Sequence, residues 1–203
     1  MMGRTAGPER KLEDAQTEGA GPASRRTLPG GMEQLSITTH SRQETQSIAA
    51  RLAQAVSPGQ VIALRGQLGA GKTTFVQGFA VGLGIRDRVT SPTFILANEY
   101  RSPRGIQLVH IDIYRLGDSV DSALEEAATF GLEEILERED AVIVIEWAER
   151  VSNALPPDHL QVELIVAGDE PSGGLEACED SSRLVRFTAF GPQSAALLSH
   201  IRP

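Results

Sequence analysis

The sequence predicts an α/β fold, a three-layer sandwich with a largely parallel central sheet and a C-terminal β-hairpin. Three observations carry this reading. A short apolar run at residues 60–65 and a wholly apolar one at 141–145 have the length and composition of strands buried on both faces. Segments with helical periodicity alternate with these runs. A glycine-rich turn joins the first run directly to a helix, a connection typical of α/β units.

Residues 1–31 contain six Gly and three Pro but only four large apolar residues, Met1, Met2, Leu12 and Leu28. Such a segment cannot bury enough apolar surface to offset its ordering entropy. It is expected to be a disordered tail, or a mis-assigned start upstream of a true first residue at Met32, before a single domain over residues 32–203. Residues 35–39 read as a short strand. Ser41, with Glu44 three positions on, forms a capping box that opens an amphipathic helix running to about residue 56. Ser57-Pro58-Gly59 turns the chain into the strand at 60–65, and the glycine-rich loop then opens a helix over 71–81. Residues 95–101 and 106–113 read as strands joined by a turn at 102–105. Residues 118–140 hold nine acidic residues and one basic one, Arg138, interleaved with Leu124, Leu132, Ile135 and Leu136, which makes a helical region with an acidic face. After the strand at 141–145, residues 160–166 and 184–190 alternate as two hairpin strands. A loop over 168–182, rich in Gly, Ser and acidic residues, joins them.

The chain of 203 residues carries a formal net charge of −8, which argues against a general nucleic-acid-binding surface, since that needs clustered Lys and Arg. A single Cys excludes an intramolecular disulfide, and no Cys/His cluster has zinc spacing. No apolar stretch approaches the roughly 18 residues of a membrane-spanning helix. The N-terminus lacks the apolar core of a secretory signal, so the expected compartment is the cytoplasm. Among 19 basic residues only Lys11 and Lys72 are lysines, so Lys72 is the one lysine of the patterned region.

Lys72 belongs to Gly66-Gln67-Leu68-Gly69-Ala70-Gly71-Lys72-Thr73, which matches the phosphate-loop pattern G-x-x-x-x-G-K-S/T. The match gains weight from its context, because it follows a buried strand and opens a helix. Glycines allow positive φ and close backbone approach, so that successive N–H groups face phosphates. The helix N-terminus adds the positive end of its dipole. Lys72 then serves as a point charge for the outer phosphates, and the Thr73 hydroxyl is a ligand for Mg²⁺. Such a site also needs a carboxylate at the end of a neighbouring strand. Asp112, after Leu108-Val109-His110-Ile111, and Glu146, directly after residues 141–145, are the two candidates. His110 and Tyr114 share the strand parity of Asp112. Trp147, the sole tryptophan, reads from pattern alone as a core or rim aromatic. Thr93 lies in a Pro-containing loop, residues 89–94, placed where a loop could sense a terminal phosphate.

Four separated motifs, GQLGAGKTTF at 66–75, SPTF at 91–94, HIDIYRL at 110–116 and VIEW at 144–147, resemble in order and spacing those of the TsaE (YjeE) family of bacterial ATPases of tRNA threonylcarbamoyladenosine biosynthesis. The resemblance spans about residues 35–166. It implies a P-loop NTPase-like sandwich with ATP and Mg²⁺ as cofactors. Lys72, Asp112 and Glu146 are then the catalytic residues. Gly66, Gly69, Ala70, Gly71, Lys72, Thr73 and Thr74 are the nucleotide-binding residues. Thr73 and Glu146 are the magnesium residues, with Asp112 a further candidate acting through water. Thr93 corresponds to a switch-loop threonine and Trp147 to a functionally important or partner-contacting aromatic. The helix start at 41–45 is where the family's N-terminal contact falls. The resemblance further implies hydrolysis in concert with the TsaB–TsaD transferase complex, through which the chain meets tRNA, in a role similar to a resetting motor. Gln67 departs from the family, which usually has an acidic residue there.

Three other classes fit a phosphate loop. A small-molecule kinase usually closes a basic lid over the phosphates, whereas the segment after Gly117 is acidic. A GTP switch lacks its N-K-x-D signature here. A nucleotide-gated binding module without turnover keeps the same ligands and is distinguished by assay alone.

Overall fold

The two apolar runs lie side by side at the centre of an eight-stranded sheet. In the computed structural model, which describes residues 23–92, 96–117, 119–167 and 182–201, the strands are β1 (Ser24–Thr27), β2 (Glu33–Thr39), β3 (Val61–Arg65), β4 (Ala97–Arg101), β5 (Gln107–Asp112), β6 (Ala141–Glu146), β7 (Leu160–Val166) and β8 (Arg183–Ala189). Their spatial order is β1-β2-β8-β7-β3-β6-β5-β4. The helices are α1 (Arg42–Ala55), α2 (Lys72–Gly82), α3 (Val120–Phe130), α4 (Leu132–Leu136) and α5 (Pro192–Leu198).

The sheet is mixed. Its four central strands, β7-β3-β6-β5, are parallel, and antiparallel strands flank them on both sides. The flanks are antiparallel because β4 and β5 are joined by a short turn, closed by Ser102 N–H on the Ile106 carbonyl at 2.8 Å, and because β7 pairs directly with β8. Helices cover both faces. Alternate residues of β3 divide between two cores: Ile62 and Leu64 pack with Ile48, Leu52, Phe75 and Phe79 of α1 and α2, while Val61 and Ala63 face Ala123, Ala127 and Leu132 of α3 and α4. This two-sided burial is why the central runs carry no polar alternation.

Of the disordered tail expected over residues 1–31, residues 1–22 lie outside the described residues, and Ser24–Thr27 is instead a strand that pairs antiparallel with Glu33–Ser36 of β2. All four residues of β1 are exposed. Backbone hydrogen bonding and an Arg25–Glu33 ion pair hold the strand, not apolar burial, so composition alone does not detect it. The 168–182 loop, except Ser182, and Thr93 lie outside the described residues. Ser41 caps α1 by accepting from Glu44 N–H at 3.1 Å, while the Glu44 carboxylate reaches His40 N–H at 2.8 Å, one residue upstream of the expected partner.

Helix α2 lies against α1 with almost no spacing. A Cβ placed on Gly78 would come within 2.3 Å of the Gln46 carbonyl, and one on Gly82 within 2.3 Å of the Ala50 carbonyl. Two glycines four positions apart thus form a seam that fixes the helix rising from the phosphate loop. Gly78→Ala is expected to lower stability by about 1–2 kcal/mol, because the backbone clash outweighs the usual helix-propensity gain of under about 1 kcal/mol. Urea unfolding followed by circular dichroism checks this.

Candidate functional site

The parallel centre of the sheet brings three strand ends to one edge. Leu64 of β3 is paired with Glu146 of β6, and Glu146 is paired with Asp112 of β5. Ligands of open α/β sheets bind at this carboxyl edge. Parity turns Asp112, Glu146 and His110 to the α2 face of the sheet, since Leu108 and Val144 belong to the α2-side core.

Residues 66–71 turn from β3 into α2. Gly66, Gly69 and Gly71 have φ of +139°, +80° and +104°. At Gly66 glycine is also demanded by space, because a Cβ would sit 2.5 Å from the Leu164 carbonyl of β7. Gly71 is the N-cap of α2 and offers no side-chain cap, which leaves the amides of the first turn available to an anion. Ala70 accepts a hydrogen bond at 3.1 Å from Nε of Arg183, a buried residue of β8 that braces the loop. Nothing local in the sequence marks Arg183 for that role.

Lys72 is buried, and its Nζ donates to the Gly66 and Gln67 carbonyls at 2.6 and 2.9 Å. The Trp147 ring centroid lies 3.5 Å from the same Nζ. Burial pushes the Lys72 ammonium below its ordinary pKa, and the nearby charges of Glu146, Glu149 and Asp112 oppose that shift only in part. Trp147 has φ +61°, an uncommon conformation for a non-glycine residue, and its ring packs on Tyr114 at 4.9 Å between centroids. Trp147 is therefore the rim aromatic read from pattern alone, packed against the second core, and it is also a half-buried wall of the site.

The Thr73 hydroxyl donates to Glu146, with Oγ1 lying 2.9 and 3.0 Å from the two carboxylate oxygens. His110 Nε2 approaches Glu146 Oε1 at 2.9 Å. Asp112 accepts from Tyr114 N–H at 2.9 Å through Oδ1 and from the Ser91 hydroxyl through Oδ2. Ser91 was not singled out as a site residue from the sequence, although its SPTF motif was. Lys72, Thr73, Thr74, Asp112, Glu146 and Trp147 face one cleft of about 460 Å³. Among the described residues no three side chains of His, Cys, Asp or Glu cluster to hold a metal by themselves. Thr73 and Glu146 instead present hard oxygens beside the glycine-rich loop. That donor set fits Mg²⁺, which is commonly held by one or two protein oxygens together with phosphate and water.

Comparison with known proteins identifies the family. Residues 39–172 match the family of threonylcarbamoyl adenosine biosynthesis protein TsaE. The chain is 39% identical over 160 residues to the tRNA threonylcarbamoyladenosine biosynthesis protein TsaE of Bacillus subtilis, a span covering 79% of this chain and 89% of that protein. It is 38% identical over 147 residues to the protein of the same name from Mycobacterium tuberculosis, covering 70% of this chain and 84% of the relative. The crystal structure of Bacillus subtilis YdiB superposes with a TM-score of 0.64 at 33% identity, covering 84% of this chain and 95% of that one. The motifs, the fold and these matches converge: the chain belongs to the TsaE family.

Proposed function

We propose that the chain is a Mg²⁺-dependent ATPase of tRNA threonylcarbamoyladenosine biosynthesis that hydrolyses ATP together with a TsaB–TsaD transferase complex in the cytoplasm. The observation that carries the reading is the convergence in one cleft of Lys72, the Thr73–Glu146 pair and Asp112, behind a loop whose glycines expose backbone amides. In this reading the loop N–H groups and the start of α2 bind the phosphates, and Lys72 leaves the Gly66 and Gln67 carbonyls to meet their charge. Glu146 orients the Thr73 hydroxyl. Thr73 and Glu146 would hold Mg²⁺, which would supply charge neutralisation to the phosphates when bound. Asp112, held by Tyr114 N–H and the Ser91 hydroxyl, orients the attacking water and accepts its proton. Trp147 shields Lys72 from solvent. Among the described residues no helix is long and apolar enough to cross a membrane.

The direct test is ATP hydrolysis by the purified chain, alone and with TsaB–TsaD from the same source. Low basal turnover that rises with the partners, and vanishes in Lys72→Ala, supports the proposal. Turnover indifferent to the partners with transfer of phosphate to a small molecule supports a kinase instead. Binding of ATP without turnover in any mixture reduces the chain to a nucleotide-gated binding module.

A further inference from the structure

His110 is a fully buried imidazole on β5, directly opposite Val144 in the parallel ladder with β6. Its Nε2 lies 2.9 Å from Glu146 Oε1, and its Nδ1 is buried without a hydrogen-bond partner. A carboxylate oxygen only accepts, so Nε2 is the donor in this bond. The strand neighbours on the same face, Leu108 and Val144, are apolar core residues. A side chain needed only for packing would be served here by leucine, without an unmet polar atom. What the imidazole adds to this position is its one bond to Glu146.

Glu146 is thereby held from two sides. Thr73 Oγ1 bridges both of its oxygens from the helix, and His110 fixes Oε1 from within the sheet. Building on the nucleotide reading above, we propose that His110 is a positioning residue that locks the Glu146 carboxylate in the orientation Mg²⁺ requires. It touches neither nucleotide nor metal. Once Thr73 also serves a metal, His110 is the contact that keeps the carboxylate from swinging. Outer partners of this kind typically change metal affinity by about 10–100-fold when removed. The loss therefore falls on the Mg²⁺ dependence of nucleotide binding, not on the metal-free affinity that the loop and Lys72 supply.

The test is ATP affinity by calorimetry across a series of free Mg²⁺ concentrations and in EDTA, for wild type, His110→Leu and His110→Gln, with unfolding midpoints for each. In His110→Leu the Mg²⁺ concentration giving half of the affinity gain is expected to rise about 10-fold or more, with unchanged affinity in EDTA. His110→Gln, whose amide N–H reaches about as far as Nε2, is expected to restore most of the wild-type Mg²⁺ dependence. A wild-type Mg²⁺ profile in His110→Leu overturns the proposal. So does an equal loss with and without metal, or a folded His110→Gln that behaves no better than His110→Leu. If His110→Leu does not fold, His110→Asn, whose shorter amide does not reach Glu146, replaces it in the same comparison. Wild-type protein whose ATP affinity is absent, or indifferent to Mg²⁺, would instead overturn the nucleotide reading itself, an outcome visible before any variant is compared.

Discussion

Lys72→Ala is expected to weaken ATP affinity by about 10–100-fold or more, the equivalent of losing charge-assisted hydrogen bonds to phosphate, and to abolish turnover. The size of the effect follows from how the lysine is kept. In the cleft its ammonium is buried against two loop carbonyls and the Trp147 face, and burial pushes it below its ordinary pKa despite the charges of Glu146, Glu149 and Asp112. A lysine whose pKa is lowered by folding costs stability in its charged form, and this cost is present at every pH below its ordinary value. Phosphate would add to the counter-charge that Glu146, Glu149 and Asp112 supply in part. Binding and stability should therefore separate: Lys72→Met, which keeps the aliphatic stem, is expected to lose nucleotide affinity with no fall in unfolding midpoint. Calorimetric titration with ATP and thermal unfolding of the same samples measure the two quantities. A large drop in midpoint with retained affinity would make Lys72 a structural residue.

Asp112→Asn is expected to divide the opposite way. Turnover should fall by about 10²–10⁴-fold, the usual contribution of a positioned acid–base group, while ATP affinity stays within about threefold of wild type. The carboxylate is placed for this by two hydrogen bonds, from Tyr114 N–H and the Ser91 hydroxyl. Asparagine retains one acceptor for the amide, and the Ser91 hydroxyl can reverse its bond, so the side chain keeps its place but loses its charge and proton-accepting role. Single-turnover hydrolysis in the presence of TsaB–TsaD, set beside ATP affinity, measures the split. An equal loss of both would move Asp112 from hydrolysis to nucleotide or metal holding.

How much of this was readable in the chain depends on whether the physics is local. The strand–loop–helix from Val61 to Gly82 was legible because each residue type has a local cause: apolar residues for a strand covered on both faces, glycines for positive φ, and a lysine and threonine at the helix start. Glu146 was legible because an acid abutting an apolar run falls at a strand end. Asp112 was legible for the same reason. Contacts between segments distant in sequence were not. The strand β1 is held by backbone pairing and leaves no apolar signature. Helix α5 was missed because it has only seven residues and takes its cap from Asp158, whose carboxylate accepts from Gln193 and Ser194 N–H at 2.8 and 3.0 Å. The Gly78–Gly82 seam, the Arg183 brace and the His110–Glu146 bond each join elements far apart along the chain, so residue spacing carries no trace of them. His110 itself was visible as the first residue of the HIDIYRL motif and by its parity with Asp112, but not as a partner of Glu146.

The left-handed backbone at residue 147 has a spectroscopic consequence. It sets the chain's sole indole over the one ammonium that ATP would draw away. Tryptophan emission of the protein, excited selectively over its two tyrosines, therefore comes from one indole built into the cleft wall. On the proposed ATP-binding reading, its intensity and wavelength should report the departure of that charge without any attached dye, so that nucleotide binding is expected to be followed in real time by light alone.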